Sequence, residues 1–186
     1  EKLSEIYRRD IAQKKKFVLK VGTEVITGDD RRLKEGKIKD IANQAAILQR
    51  QGKVITIVSS GAIAGGMGKI GITEYDAKDI GMSQALAAFG QPSLMAKYES
   101  QFRTYGIPVA QVLLTYNDLT TQPYIQNFRN TLERINELGG IAVLNENDPV
   151  SIDELIVRNN EMENNLHSSV RFGDNDTLAV MVAEVL

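Results

Sequence analysis

The side chains of this chain that could do chemistry gather where short apolar runs stop. The first run reads Val18-Leu19-Lys20-Val21-Gly22-Thr23. A Lys inside an apolar strand is costly to bury unless an anion pairs with it. Gly22 directly after it leaves backbone amides open to close approach, which a phosphate needs. An edge-strand Lys facing water is the other reading. The second run reads Val58-Ser59-Ser60-Gly61-Ala62, where strand gives way to helix. Hydroxyls and free amides there suit a carboxylate or a phosphate, although Ser60 could equally cap the helix. A later run ends in Leu144-Asn145-Glu146-Asn147-Asp148-Pro149. These polar side chains could receive an ammonium group and orient a small polar ligand, or form an Asx-turn before Pro149. The last site, Gly173-Asp174-Asn175-Asp176, stands at a helix start. Capping accounts for one of its acids, not for two plus an Asn. An acid facing Lys20 would hold that ammonium in place, which suits catalysis by positioning and charge neutralisation.

Composition narrows the chemistry further. The 186 residues include one His (His167), no Cys, 22 basic and 24 acidic side chains. Disulfides, thiolate catalysis, Cys-ligated zinc and multi-His metal sites are excluded. A net charge of −2 offers no whole-molecule field for nucleic acid or anionic membrane. No window approaches the ~20 apolar residues of a membrane span, and no signal-peptide core begins the chain. Residues 1–15 are charged and mildly amphipathic and read as an N-terminal extension with a short helix; the start without Met reads as trimmed. A soluble, cytoplasmic protein is expected.

The elements that must carry these strand ends alternate. FVLKVGTEVI (17–26) predicts a strand, and Ile38, Ile41, Ala45 and Leu48 predict a helix closing at Gln51-Gly52. KVITIVSS (53–60) has the continuous apolar character of a doubly covered parallel strand. A helical region over about 78–105 carries Met95, Tyr98, Phe102 and Tyr105 on one stripe, with Pro92 expected to begin a second helix. IPVAQVLLT (107–115) and IAVLN (141–145) predict strands flanking a helix through Ile125, Phe128, Leu132 and Ile135, and DTLAVMVAEVL (176–186) predicts a last helix. The order implies βαβ units: an α/β fold with helices on both faces of a mainly parallel sheet, and ligands at its C-terminal strand ends. The mostly polar stretch 149–173 reads as a long loop or lid.

Gly66-Met67-Gly68-Lys69-Ile70-Gly71 spells the dinucleotide fingerprint G-x-G-x-x-G. The fingerprint's first Gly belongs in the turn directly after the strand. Here the strand run stops near Ser59, so these glycines are not read as a nucleotide site.

Taken together and in order, the motifs resemble the amino-acid kinase family, in particular its branch that phosphorylates glutamate. Val18 to Thr23 matches V-K-x-G-[TS] with Leu19 in place of a second Val, and Val58 to Ala62 matches V-[TS]-S-G-A. Ala88-Phe89-Gly90-Gln91-Pro92-Ser93-Leu94 matches A-x-G-Q-x-x-L, and Asn127 to Leu132, Asn145 to Asp148 and Gly173 to Asp176 are similar as well. The resemblance covers roughly residues 16–186 and implies a three-layer α/β/α sandwich. It implies that Lys20 stabilises the phosphoryl group in flight, with Gly22 and Thr23 shaping its cradle. Ser60, Asp148 and Asn175 would bind the substrate, assisted by Asn145 and the main chain at Gly61, while Asp176 would organise the catalytic lysines. The implied reaction passes the γ-phosphate of ATP, with Mg²⁺, to the side-chain carboxylate of L-glutamate, the first step of proline synthesis.

The resemblance further implies proline as feedback inhibitor, a homo-oligomer associating around 80–105, and no nucleic-acid or membrane partner for this portion. It places the nucleotide half beyond Leu186, so the length reads as a truncation with poor turnover on its own. The loop after Asn147 is longer than the family's and carries Asp153, Glu154, Glu161 and Glu163. Rival expectations are a kinase for N-acetylglutamate or aspartate, and a non-catalytic amino-acid sensor.

Overall fold

A computed structural model describes residues 3–151 and 174–186. Helix α1 (Leu3–Gln13) leads into strand β1 (Lys16–Val21), a one-turn helix α2 (Thr23–Ile26) and helix α3 (Glu35–Arg50). Strand β2 (Val54–Ser59), helices α4 (Ala62–Ile70) and α5 (Ile80–Arg103) and strand β3 (Val109–Leu114) follow. A 3₁₀ turn (Tyr116–Leu119), α6 (Gln122–Glu137), β4 (Ile141–Glu146) and a helix over Asp174–Val185, here α7, complete the order. The four strands pair in the order β1-β2-β4-β3, and every pairing is parallel.

Side-chain alternation along the strands divides the core in two. Ile55 and Ile57 of β2 and Ile141 and Val143 of β4 pack with Ile38 and Ala42 of α3 and Leu94, Tyr98 and Phe102 of α5. Val58 of β2 and Ala142 and Leu144 of β4 face the other way, against Phe128 and Leu132 of α6 and Leu178 and Val182 of α7. The expected three-layer α/β/α arrangement with a parallel sheet is therefore what the chain adopts. Both faces of β2 and β4 are covered, so those runs are apolar apart from Thr56 and the polar residues at their C-terminal ends. Burying side chains such as Ile57, Val58, Val143 and Leu144, all nearly inaccessible, stabilises the fold by about 1.5–3 kcal/mol each.

Two local expectations change. The first strand ends at Val21 instead of running to residue 26, because Gly22 caps the turn of α2 and Ile26 swings into the core. Pro92 lies inside a continuous α5 and does not start a new helix. A Pro in a helix interior costs about 3 kcal/mol, and the packing of α4 on α5 overrides it. That packing also explains the glycines. A Cβ on Gly66 would overlap the carbonyl of Leu86, and one on Gly90 would overlap the carbonyl of Ala62. The apparent fingerprint is thus the seam where two helix backbones meet. The polar stretch read as a lid, and His167 within it, lie outside the described residues beyond Ser151.

Topology selects where a ligand can sit. The chain leaves β2 into α4 and α5; α5 packs on one face of the sheet and α4 packs on α5, while α7 packs on the other face. Between the C-terminal ends of β2 and β4 the covering helices part, which leaves a crevice at that edge.

Candidate functional site

Lys20 reaches this crevice by strand parity. Val21 faces α3 and α5, so Lys20 must face the α7 side. There its ammonium meets the carboxylate of Asp176 at 2.8 Å, with the two side chains 33% and 43% exposed. Lys20 lies on an edge strand and is paired with an acid. Asp176 stands in the first turn of α7, its carboxylate within hydrogen-bonding distance of Lys20. Gly22 lies beside the same ammonium, with the position of an added Cβ 3.6 Å from Lys20 Nζ.

Ser60 does not cap α4. That position belongs to Gly61, whose φ of +107° only Gly adopts readily, and no side chain caps the helix. A Cβ on Gly61 would also come within 2.8 Å of Ile26 Cδ1. The Ser60 amide donates to the Val21 carbonyl at 2.8 Å, which pins this turn to the end of β1. Its hydroxyl is therefore free to look inward, where Oγ accepts from Asn175 Nδ2 at 2.9 Å. The same Asn175 amide donates to Asn145 Oδ1 at 3.1 Å, and Asn145 Nδ2 donates to Gln91 Oε1 at 2.9 Å. Asn145 and Gln91 are almost wholly buried, and pairing of this kind is what makes burial of such groups affordable in free energy.

Glu146, the last residue of β4, is also buried and accepts from the Ser151 hydroxyl. The Ser151 carbonyl in turn accepts from Gln84 Nε2 of α5 at 3.0 Å. The turn ahead of Val150 is closed by backbone, with the amides of Val150 and Ser151 both donating to the Asn147 carbonyl at 3.0 Å. An open cleft of about 200 Å³ results, lined by Lys20, Thr23, Ser60, Gly61, Ala62, Ile63, Asn145, Glu146, Asp148 and Asn175. Seven of the nine residues singled out from sequence thus line one cleft, and Gly22 and Asp176 flank it through Lys20. Glu146 and Gln91 were not among them. Glu146 stood within the quoted Asn145–Asp148 motif, so its place directly after a buried strand was the available signal; nothing short of the packed structure pairs Gln91 with Asn145.

Behind the cleft, Ser59 faces α5 and its Oγ lies 2.9 Å from Tyr98 Oη. Burial pushes the Tyr98 phenol up to about 12, against a smaller opposing effect of the Ser59 hydrogen bond. The phenol is a structural support for the β2 end, since it stays neutral at any ordinary pH. Among the described residues no group of three or more His, Cys, Asp or Glu could hold a metal ion, and no helix is long and apolar enough to cross a membrane.

Chemically, one end of the cleft offers a half-exposed ammonium beside a Gly backbone. The other end offers amide, hydroxyl and carboxylate groups. That combination can hold a zwitterion at one end and neutralise an anion at the other.

Comparison with known proteins places the chain in a family. The amino acid kinase family model matches residues 15–186. The chain belongs to the amino acid kinase family. The curated relatives include a glutamate 5-kinase of Thermus thermophilus, 42% identical over 172 residues, covering 92% of this chain and 42% of that protein. A glutamate 5-kinase of Dehalococcoides mccartyi is 43% identical over 172 residues, covering 92% and 43%. That of Pelobacter propionicus is 40% identical over 179 residues, covering 96% and 44%. This amino acid kinase chain therefore spans less than half the length of the curated relatives it matches. Of the motifs it shares with the family, the one on α6 plays a packing part: Phe128 and Leu132 are buried, and Arg129 Nε donates to the Val185 carbonyl at 3.0 Å, tying α7 down.

Proposed function

We propose that residues 16–186 are the acceptor-binding portion of a glutamate 5-kinase, with residues 1–15 an extension ahead of it. The observation that carries this reading is one cleft. It brings the Lys20–Asp176 pair and the Ser60–Asn175–Asn145 cluster to one place. Ser60, Asn175, Asp148 and Asn145, with the main chain at Gly61, hold the α-amino acid head of L-glutamate. Its side-chain carboxylate then extends toward Lys20.

The reaction forms a bond between a carboxylate oxygen and the γ-phosphorus of ATP and breaks the bond from that phosphorus to the β–γ bridging oxygen. Glutamyl 5-phosphate and ADP are the products. A carboxylate is already nucleophilic at neutral pH, so the step needs no general base, in keeping with a chain without Cys and with a single His. What it needs is countercharge, since two anions must meet. Lys20 supplies it, Gly22 and Thr23 shape the phosphate cradle, and Asp176 keeps the ammonium aimed. ATP brings the transferred group, and Mg²⁺ bound with it would add charge neutralisation. The exposed, cationic end of the cleft fits such a phosphate, because Lys20 is accessible and Gly22 leaves the backbone uncovered.

On this reading the chain serves the first step of proline synthesis in the cytoplasm, with proline as feedback inhibitor. Self-association through α5 is supported by Met82 and Phe89, two large apolar side chains exposed on it. Trapping of activated γ-carboxylate as hydroxamate, with L-glutamate, ATP and Mg²⁺, tests the activity. In a whole enzyme that contains this portion, the expected result is hydroxamate that depends on all three and on Lys20. Hydroxamate formation that survives Lys20→Ala undiminished contradicts it.

A further inference from the structure

In the turn from β2 to α4, the Ser60–Gly61 peptide hangs between two fixed points. Ahead of it, the Ser60 amide donates to the Val21 carbonyl at 2.8 Å; behind it, the Gly61 carbonyl accepts from the Gly65 amide at 2.9 Å. Half a turn of this peptide between those points would take Gly61 from φ +107° to about −70°, an ordinary conformation for any residue. The orientation adopted is the one that needs a Gly, so something must hold it.

Ser59 does. Its Oγ donates to the Ser60 carbonyl at 3.0 Å, and no other hydrogen bond to that carbonyl forms among the described residues. A carbonyl only accepts, so the single hydroxyl hydrogen of Ser59 is committed there. The 2.9 Å contact between Ser59 and Tyr98 then has one polarity, with the buried phenol donating to Ser59 Oγ. Ser59 points toward α5, so the Ser60 carbonyl is turned the same way. In a trans peptide the N–H runs antiparallel to the carbonyl. The Gly61 N–H is therefore directed away from α5, into the cleft that Gly61 lines. Rotated by half a turn, the same peptide would offer the cleft a carbonyl oxygen, which repels an anion.

We propose that Ser59 is a positioning residue that holds the Ser60–Gly61 peptide with its N–H toward the cleft, as a donor to the ligand's α-carboxylate. The identity of the ligand rests on the glutamate reading above; the orientation of the peptide does not.

The three-bond couplings between the Gly61 amide proton and its two α-hydrogens report φ directly. At +107° one α-hydrogen is nearly trans to the amide proton and the other gauche, so one coupling is large and the other small. In the rotated form the two are nearly equal. The ligand-free chain should show the unequal pair, and Ser59→Ala should bring the two values together. Tyr98→Phe leaves the Ser59 hydroxyl on the Ser60 carbonyl and should keep them apart. Because Ser59→Ala strands the buried phenol, Ser59→Ala combined with Tyr98→Phe removes both hydroxyls, and it should show the same convergence. Couplings that stay unequal in folded Ser59→Ala or in the double variant overturn the proposal. So does convergence in Tyr98→Phe, which would mark a general loosening of the turn.

Titration with L-glutamate addresses the ligand. In the unsubstituted chain the Gly61 amide proton should move downfield. Ser59→Ala should bind about two- to tenfold more weakly, in step with the fraction of correctly oriented peptide that the couplings report. Undiminished binding in Ser59→Ala with converged couplings overturns the donor role of Gly61. If the couplings respond as expected while the unsubstituted chain binds no glutamate, the glutamate reading fails and the orientation stands.

Discussion

The two walls of the cleft are built on opposite terms. Along the β2–β4 side, polar groups are buried and interlocked: Asn145 is 2% exposed and bonded to both Gln91 and Asn175. Along the β1 side, Lys20 and Asp176 form a single ion pair that stays a third or more open to water. The first wall is rigid because an unsatisfied buried amide costs about 1–3 kcal/mol, so its members hold each other in place. The second contributes little to stability, since pairs so exposed are worth about 0–1 kcal/mol. On the proposed reading, recognition is preorganised, while the charge meant for a phosphate is left accessible. A buried ammonium could not exchange its partner for an incoming anion without a large desolvation cost.

This contrast can be broken at the scaffold first. Gly90→Ala would drive a Cβ into the Ala62 carbonyl and the Gly66 amide, both backbone. Urea denaturation should show a loss of at least about 3 kcal/mol, or no folded chain, because neither neighbour can move aside cheaply. On the open wall, Lys20→Ala should lower phosphoryl transfer by about 10²–10³-fold. Glutamate binding should stay nearly unchanged, and stability should fall by no more than about 1 kcal/mol. A large loss of stability there would mean that the pair is structural.

The closed wall should answer in the opposite way. Asn145→Leu removes the partner of both Gln91 and Asn175, so it should destabilise the fold by about 1–3 kcal/mol and weaken glutamate binding together. The smallest effect concerns Tyr98. Its phenol titrates near 12 in the folded chain, against 10.0 for an unperturbed Tyr. Between those values the unfolded chain has lost a proton that the folded chain keeps, so stability from this group is full below pH 10 and falls as pH rises toward 12. The fall is about 1.4 kcal/mol per pH unit within that window. Tyr98→Phe should flatten the stability profile there, as read by chemical denaturation at pH 9, 10.5 and 11.5.

How much of this was legible in the sequence follows from which forces are local. Strands β2 and β4 and helices α3 and α6 were readable because burial imposes a period or an unbroken apolar run on them. The strand-end residues were readable because polar groups directly after such runs must lie at one edge of the sheet. Three features were not, and the first two depend on contacts far along the chain. Pro92 inside α5 and the glycines of α4 make sense only when the two helices are laid together. Gln91 lies 54 residues from Asn145, and no spacing rule connects them. The turn of α2 was read as strand because Val25 and Ile26 are β-branched, and the Gly22 break outweighs that preference.

The central claim, that this cleft holds a free amino acid by its ammonium and α-carboxylate, is tested most directly by calorimetry with L-glutamate and N-acetyl-L-glutamate. Asp148 and Asn175 line the cleft where the ammonium would sit, so glutamate should bind saturably and the acetylated compound should give no binding heat. Equal binding of both, or binding of N-acetyl-L-glutamate alone, would contradict the account.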